Sequence, residues 1–168
     1  MLIYHPAFDV NHARLRVIQL LDHAKPQELQ FDMLRILDFY FLFPHLLAEI
    51  KLTRGMTRLK RELALRANKY NRVPSPRMLI RQMEGVQEAA VRALEAGRLL
   101  DLPSAGVSVI KRSNVPLPTE LVRVISEQPE DEKALASTLA TEVALIPLNG
   151  PDGLKARSGL LEYRYDPE

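Results

Sequence analysis

The sequence predicts a mainly α protein, a compact helical body that carries one or two short β-hairpins. Three observations lead to this fold class. Apolar residues recur at spacings of three and four along most of the chain, which is the period of a helix packed on a core. After Gly97 this period gives way to short apolar runs separated by a turn. Prolines and glycines fall at the joints between the predicted elements.

Length and composition are those of a small globular protein. The chain has 168 residues, of which 46% are hydrophobic and 26% are charged, as in an ordinary globular domain. We expect a single domain, residues 1–168, or two small modules, a helical part (1–73) and a helix-hairpin part (74–168). The longest apolar run is far shorter than the roughly 20 residues of a membrane-spanning helix, so no membrane partner is expected.

The absence of cysteine excludes several classes of site. Disulfide scaffolds, thiolate zinc sites, iron-sulfur clusters and cysteine nucleophiles all require this residue. A chain that has no disulfides suits a reducing compartment, so we expect a cytoplasmic protein.

The first predicted helix begins at a cap supplied by Asp9 or Asn11 and runs to about Ala24. Its apolar residues recur at spacings of three and four, which indicates one face on the core. Lys25-Pro26 breaks the pattern, because proline has no amide proton to donate within a helix.

The second predicted helix starts near Leu29 and is apolar on nearly every face after Ile36. We therefore place it at the centre of the core. Pro44 interrupts this helix and either kinks it or starts a short new segment that reaches Ile50.

A third helix is predicted near Thr57 to Asn68, and it is basic outside one narrow apolar face, so we expect it on the surface. The next helix has the strongest signals in the chain. Ser75 is a good N-cap, Pro76 suits the first helical position, and Gly97 ends the helix.

Two short strands follow, over residues 99–102 and 107–110, with a turn at 103–106 between them. A helix that leads into such a hairpin has the outline of a winged helix. The fold class is therefore extended to a winged-helix-like body.

The C-terminal third repeats this outline. Helices are predicted over residues 120–127 and 130–145, and the strand-like composition of Leu160 to Tyr165 would follow them. Residues 76–112 and 120–165 are then two helix-hairpin units.

Charge is segregated along the chain although the net charge is only +2. Residues 51–81 contain ten lysines and arginines against one acid, Glu62, so this segment has a charge of +9. In residues 119–146, six acids oppose Arg123 and Lys133. A solvated helix normally mixes both signs, so the basic segment suggests a partner.

Lys51, Arg54, Arg58 and Arg61 recur at spacings of three and four and therefore share a helical face. Three partners suit these cations: a nucleic-acid backbone, an acidic partner protein, or the acidic C-terminal helices of the chain itself. The candidate nucleic-acid or partner-binding residues are Lys51, Arg54, Arg58, Lys60, Arg61, Arg66, Lys69, Arg72, Arg77, Arg81, Lys111 and Arg112. The candidate partner-interface residues in the apolar block are Phe39, Phe41 and Phe43.

Residue patterns typical of catalysis are scarce. The sequence has no GxxxxGK[ST], GxGxxG or GxSxG motif, so we expect no bound nucleotide and no cofactor. His5, Asp9 and His12 could line a metal ion or share a proton, and a small metal enzyme or hydrolase built on them is the minor alternative. Structural histidines and caps are commoner, so we expect neither an enzyme nor a metal site.

The start LIYHPAFDVNHARLRVIQLL, the block QFDMLRILDFYFLFPHLL and the basic helix together resemble the small middle component of bacterial ABC-three component systems, defence operons of the Lamassu type. YHPAFD and FYFLFP are the most specific parts of the similarity, which extends over most of the chain. The resemblance implies a non-enzymatic subunit that bridges an ATPase of the SMC or Rad50 kind and an effector, often a nuclease, in an antiviral complex.

Two functions follow. The first is an adaptor subunit of an SMC-like defence complex, which could reach double-stranded DNA through that complex. The second is a free-standing winged-helix DNA-binding regulator, favoured by the basic segment and the hairpin after Gly97.

Overall fold

A computed structural model describes residues 4–67 and 72–162 of the chain. The helices in these two ranges are α1 (Val10–His23), α2 (Phe31–Leu42), α3 (Pro44–Leu47), α4 (Thr57–Ala64), α5 (Pro76–Ala96), α6 (Thr119–Ser126), α7 (Glu130–Thr141) and α8 (Leu154–Ser158). The strands are β1 (Glu28–Gln30), β2 (Leu100–Asp101) and β3 (Val109–Arg112). The predicted fold class, mainly α with a small hairpin, is confirmed. No helix in either range is long and apolar enough to cross a membrane.

α1 and α2 form the centre of the core. Asp9 caps α1, since its Oδ1 accepts hydrogen bonds from the backbone amides of Asn11 and His12. α2 buries eight consecutive residues, Met33 to Tyr40, as its apolar composition predicts. α5 and α7 pack against α1 and close the core around it.

β1 was not predicted, because the apolar spacing in this region was interpreted as that of a helix. Residues 28–30 form a strand, so the helix predicted near Leu29 starts two residues later, at Phe31. Leu29 is buried and lies opposite Ile110 of β3, and an apolar residue at this position suits a strand as well as a helix.

The three strands form one antiparallel sheet in the order β1-β3-β2. β3 is central, and it pairs with the predicted hairpin partner β2 on one side and with β1 on the other. The helical part and the helix-hairpin part are therefore joined through this sheet, and buried residues of both contribute to one hydrophobic cluster.

The C-terminal third differs from the predicted second hairpin. α6 and α7 start within one residue of the predicted starts, directly after Pro118 and Pro129, but α7 ends at Thr141, four residues before the predicted end. Leu160 and Leu161 form no strand; they are buried in the core after α8. Gly159 ends α8 in the left-handed conformation, which turns the chain inward. Residues 163–165 of the predicted strand lie outside the described residues.

A buried polar network connects the core helices. Nε of Arg16 on α1 donates to Oδ1 of Asp38 on α2 at 2.6 Å, with side chains 8% and 0% exposed. Nε2 of Gln87 on α5 donates to Oδ2 of the same carboxylate at 2.9 Å. Nε of Arg35 donates to Oε1 of Gln87 at 3.3 Å, and its Nη2 lies 3.2 Å from Glu84. The network therefore fixes α1, α2 and α5 relative to one another.

Replacement of Asp38 by alanine should lower the free energy of unfolding by about 3–5 kcal/mol, because it leaves the Arg16 guanidinium buried without a counter-charge. Urea-induced unfolding of the two proteins measures this difference. The Glu88→Ala variant loses only an exposed ion pair with Arg92 and should stay within about 0.5 kcal/mol of the wild type. If both variants lost the same small amount of unfolding free energy, the Arg16–Asp38 pair would not be what fixes the core helices.

Candidate interaction surfaces

The basic segment forms an exposed surface around α4. Buried Met56 and Leu63 fix this part of the chain on the core. We define the α4 surface as the exposed cations that precede and lie on this helix, namely Lys51, Arg54, Arg58 and Arg61. Arg58 pairs with Glu62 on the same helix. Within residues 4–67 and 72–162, the other three have no ion pair.

The other predicted cations of the segment have mixed environments. Arg66 lies 3.7 Å from Asp131 of α7, and Arg77 lies 3.2 Å from Glu162. Nζ of Lys60 donates to the carbonyl of Ile50. In the described ranges, Arg66 and Arg77 therefore pair with acids of the C-terminal part. Exposed pairs of this kind contribute about 0–1 kcal/mol each to stability.

Three candidate cations of the basic segment remain, namely Lys69, Arg72 and Arg81. Arg72 and Arg81 are exposed and have no ion pair with any residue of the described ranges. Lys69 lies outside those ranges. Most of the positive charge on the segment is thus left without a partner in the described part of the chain.

Arg112 does not extend this surface, contrary to the sequence-based prediction. Its side chain is only 7% exposed, and its Nε lies 2.8 Å from Oδ1 of Asp22. Its Nη1 donates to the carbonyls of Leu99 and Ser113, and its Nη2 donates to that of Val115. All three nitrogens are used to hold the hairpin, so none is available to a phosphate.

Lys111 is exposed but is paired with Glu28 across the β1–β3 ladder, at 3.1 Å. Opposite charges at facing positions stabilise a two-strand pairing. Lys111, which was predicted to extend the basic surface, therefore belongs to a neutral pair at the end of the hairpin.

Two of the three predicted interface phenylalanines belong to the core. Phe39 is 0% exposed and Phe43 is 8% exposed, and their ring centroids lie 5.1 Å apart. Neither is accessible to a partner, because α2 is enclosed by α1, α5 and α7. Phe41 is partly buried and lines a groove of about 620 Å³ between α2 and the start of α7. It is the member of the set that a partner could reach.

α6 lies between that groove and a second groove. None of its residues is buried, although Leu121 and Ile125 pack against the core cluster. Val124 lines both the 620 Å³ groove and a groove of about 500 Å³ that is also bordered by Leu15 of α1. Sequence reasoning did not find these grooves; the amphipathic pattern of a helix with no buried position was the available signal.

The charged groups of α6 pair within the helix. Arg123 contacts both Glu120 and Glu127, which lie one turn before and one turn after it. The helix therefore rests on the body through half-buried apolar side chains.

The histidine and aspartate candidates near the N-terminus have structural contacts. Nδ1 of His5 accepts from the amide of Ala7 at 3.1 Å, and its ring stacks on Phe43. Asp9 caps α1, and the ring of His12 meets Tyr4 edge-on. In residues 4–67 and 72–162, no group of three or more histidines and acids is placed to hold a metal ion.

The family described as ABC-three component (ABC-3C) system Middle Component 5 has a model that matches residues 2–166. The match covers every surface described above. No curated protein and no solved structure matches the chain.

The cap of α1 should make stability depend on pH. The hydrogen bond from the backbone amide of His12, above all, holds the pKa of Asp9 below its ordinary value. The contribution of the cap is therefore present above the unfolded pKa of about 3.9 and is lost as the pH falls through the folded pKa.

Urea-induced unfolding at several pH values should show this. The stability difference between wild type and Asp9→Ala should be constant near neutral pH and shrink below pH of about 4. The Asp9→Asn variant keeps a neutral acceptor, so its advantage over alanine should not change with pH. A wild-type advantage that stayed constant to low pH would show that the charged carboxylate is not the capping group.

Proposed function

The chain belongs to the Middle Component 5 family of ABC-three component systems, and from this premise we propose that it acts as a non-enzymatic adaptor subunit. In this proposal it bridges an SMC- or Rad50-like ABC ATPase and an effector, such as a nuclease, in a cytoplasmic anti-phage complex of the Lamassu type. A middle component of a multi-component system implies partner proteins.

The observation that carries the proposal is the presence of two exposed surfaces of different chemistry on one small core. The α4 surface presents exposed cations, three of which have no ion pair within the described ranges, and the grooves beside α6 present half-buried apolar residues. An adaptor needs separate contact areas, because it must bind two partners at the same time. Interfaces of moderate size need an apolar centre, which the grooves could supply, and charge complementarity, which the α4 surface could supply.

A non-enzymatic role is supported by the contacts that the buried and capping polar side chains make. Arg16, Asp38 and Gln87 are held in the core by one another. His5 and Asp9 are held by backbone amides at the start of α1. Each of these groups has a structural function, so the proposal needs no catalytic role for them.

Contact with the DNA backbone is part of the proposal for the α4 surface. Guanidinium groups suit phosphate oxygens because their planar nitrogens can donate two parallel hydrogen bonds. Backbone contact does not depend on base sequence, so it would let a complex bind DNA of any sequence.

The second candidate function, a free-standing winged-helix DNA-binding regulator, is favoured by the order of elements. The chain runs α1, β1 and α2, and later α5, β2 and β3, with β3 at the centre of the sheet. This order resembles that of a winged helix, in which α5 would be the recognition helix.

The charge of these elements favours the adaptor. Residues 102–108, the wing, contain no charged side chain. α5 carries three arginines and three glutamates, so it has no net positive field to guide it into a DNA groove. Three exposed cations without an ion pair in the described ranges, Lys51, Arg54 and Arg61, lie instead on the α4 surface, outside the helix and hairpin that would read the bases. By contrast, α5 has one such cation in the described ranges, Arg81.

A charge-reversal variant separates DNA contact from partner contact. We expect the triple variant Arg54→Glu, Arg58→Glu and Arg61→Glu to lose duplex DNA binding while it still co-purifies with the ATPase or the effector. The slope of log K against log salt should fall by about three if each arginine meets one phosphate. Fluorescence anisotropy with a random-sequence duplex, in a salt series, measures the slope.

A control variant with Arg92, Arg98 and Arg123 all changed to Glu alters the net charge equally, and these exposed residues lie outside the α4 surface. It should keep most of its DNA binding. Loss of partner binding with intact DNA binding in the Arg54, Arg58 and Arg61 variant would assign the α4 surface to a protein. Failure of the wild type to co-purify with either component would contradict the adaptor function.

A further inference from the structure

We propose that a groove beside Leu145 is a docking site for an acidic segment of a partner protein. The segment would place an apolar side chain in the groove and a carboxylate on Arg157. The inference rests on the proposed adaptor function and assigns to it a contact that neither the sequence patterns nor the α4 surface supplied.

The groove lies between the turn before α4 and the segment after α7. It has a volume of about 390 Å³, and its walls include Met56, Ile146 and Pro147. Leu145 also lines it, although this side chain is 75% exposed. Four of the eight lining residues are thus apolar, and the groove is open for an apolar side chain to enter.

Leu145 also borders a second groove, of about 370 Å³, that reaches Leu29 of β1. Ile146 and Pro147 line both grooves as well. A single exposed leucine is ordinary, but a leucine that stands between two adjoining grooves forms part of an extended apolar strip. Such a strip can hold a peptide of several residues.

Arg157 is the cation of this site. It is half-buried, and its Nη1 donates to the carbonyl of Lys51 at 2.9 Å while its Nε donates to the carbonyl of Asp152. No carboxylate of the described ranges pairs with it, and its Nη2 has no hydrogen-bond acceptor there. A guanidinium held in place by two carbonyls, with one nitrogen unused, is preorganised for an incoming carboxylate.

The charge around the groove determines the sign of the partner. Lys51 and Arg54 are exposed and have no ion pair in the described part of the chain. Arg54 lies between the groove residues Thr53 and Gly55 in sequence, and the carbonyl of Lys51 accepts from Arg157. Glu142 is the acid among the lining residues, and its negative charge is outnumbered by the positive charges of Arg157, Lys51 and Arg54. The local field is positive, so the complementary segment is acidic.

A protein segment suits the groove better than nucleic acid does. Single-stranded nucleic acids bind through aromatic side chains on which bases stack, and the residues that line the groove include no aromatic side chain. An aliphatic slot with a cation at its rim is instead the pattern of a peptide anchor with a flanking charge.

Photo-crosslinking of the full chain with the purified ATPase and effector of its own system tests the site. We expect the Leu145→p-benzoylphenylalanine variant to crosslink to a segment of one component that contains carboxylates and an apolar residue. The same photoreactive residue in place of Met78, which is 60% exposed on α5, should give no crosslink to that segment.

Affinity for the same component provides the second measurement. We expect Leu145→Asp to raise the Kd about tenfold or more, because it places a charge in the apolar strip and repels the acidic segment. The matched Met78→Asp variant should remain within about twofold of the wild type, as a surface substitution away from the contact. Both residues are exposed, so neither change should unfold the chain.

The outcomes separate the site from the proposed function. A wild-type complex that Leu145→Asp does not weaken, or a crosslink from position 145 to a basic segment or to DNA, would overturn the docking site and leave the adaptor function intact. A wild type that binds neither component would overturn both.

Discussion

The ion pair between Arg16 and Asp38 constrains the whole structure. Close packing already limits how the helices fit together, and a buried charge adds a stricter requirement, because it must meet its partner at one position. Gln87 shares the same carboxylate, so α5 is placed against α1 and α2 by the same requirement. α5 leads directly into β2 and β3, which in turn bind β1. The sheet is therefore positioned by the core network.

The same network extends to the exposed surfaces. Oδ1 of Asp32 lies 3.4 Å from Arg35, and its Oδ2 lies 2.8 Å from Nζ of Lys155 on α8. α8 also carries Arg157, the cation of the proposed docking groove. A chain of ion pairs and hydrogen bonds thus connects the centre of the core to α8, the helix that carries the cation of the proposed docking groove.

Local signals predicted the elements that local chemistry determines. The cap at Asp9, one of the two residues expected, and the starts of α5, α6 and α7 depend on neighbouring residues and were predicted from sequence. β1 was not, because three residues become a strand only when β3, about eighty residues later in the chain, lies beside them. Arg112 was placed on the surface because its partners are three backbone carbonyls, which leave no pattern in the sequence, and Asp22, which is distant in sequence. The proposed docking groove depends likewise on segments that are distant in sequence.

The bridging role of the chain is tested most directly by native mass spectrometry of the ATPase and the effector of its system, purified together with and without this chain. The proposed adaptor function predicts an assembly of all three components when the chain is present, and separate ATPase and effector when it is absent. An ATPase and an effector that associate equally well without the chain would contradict it.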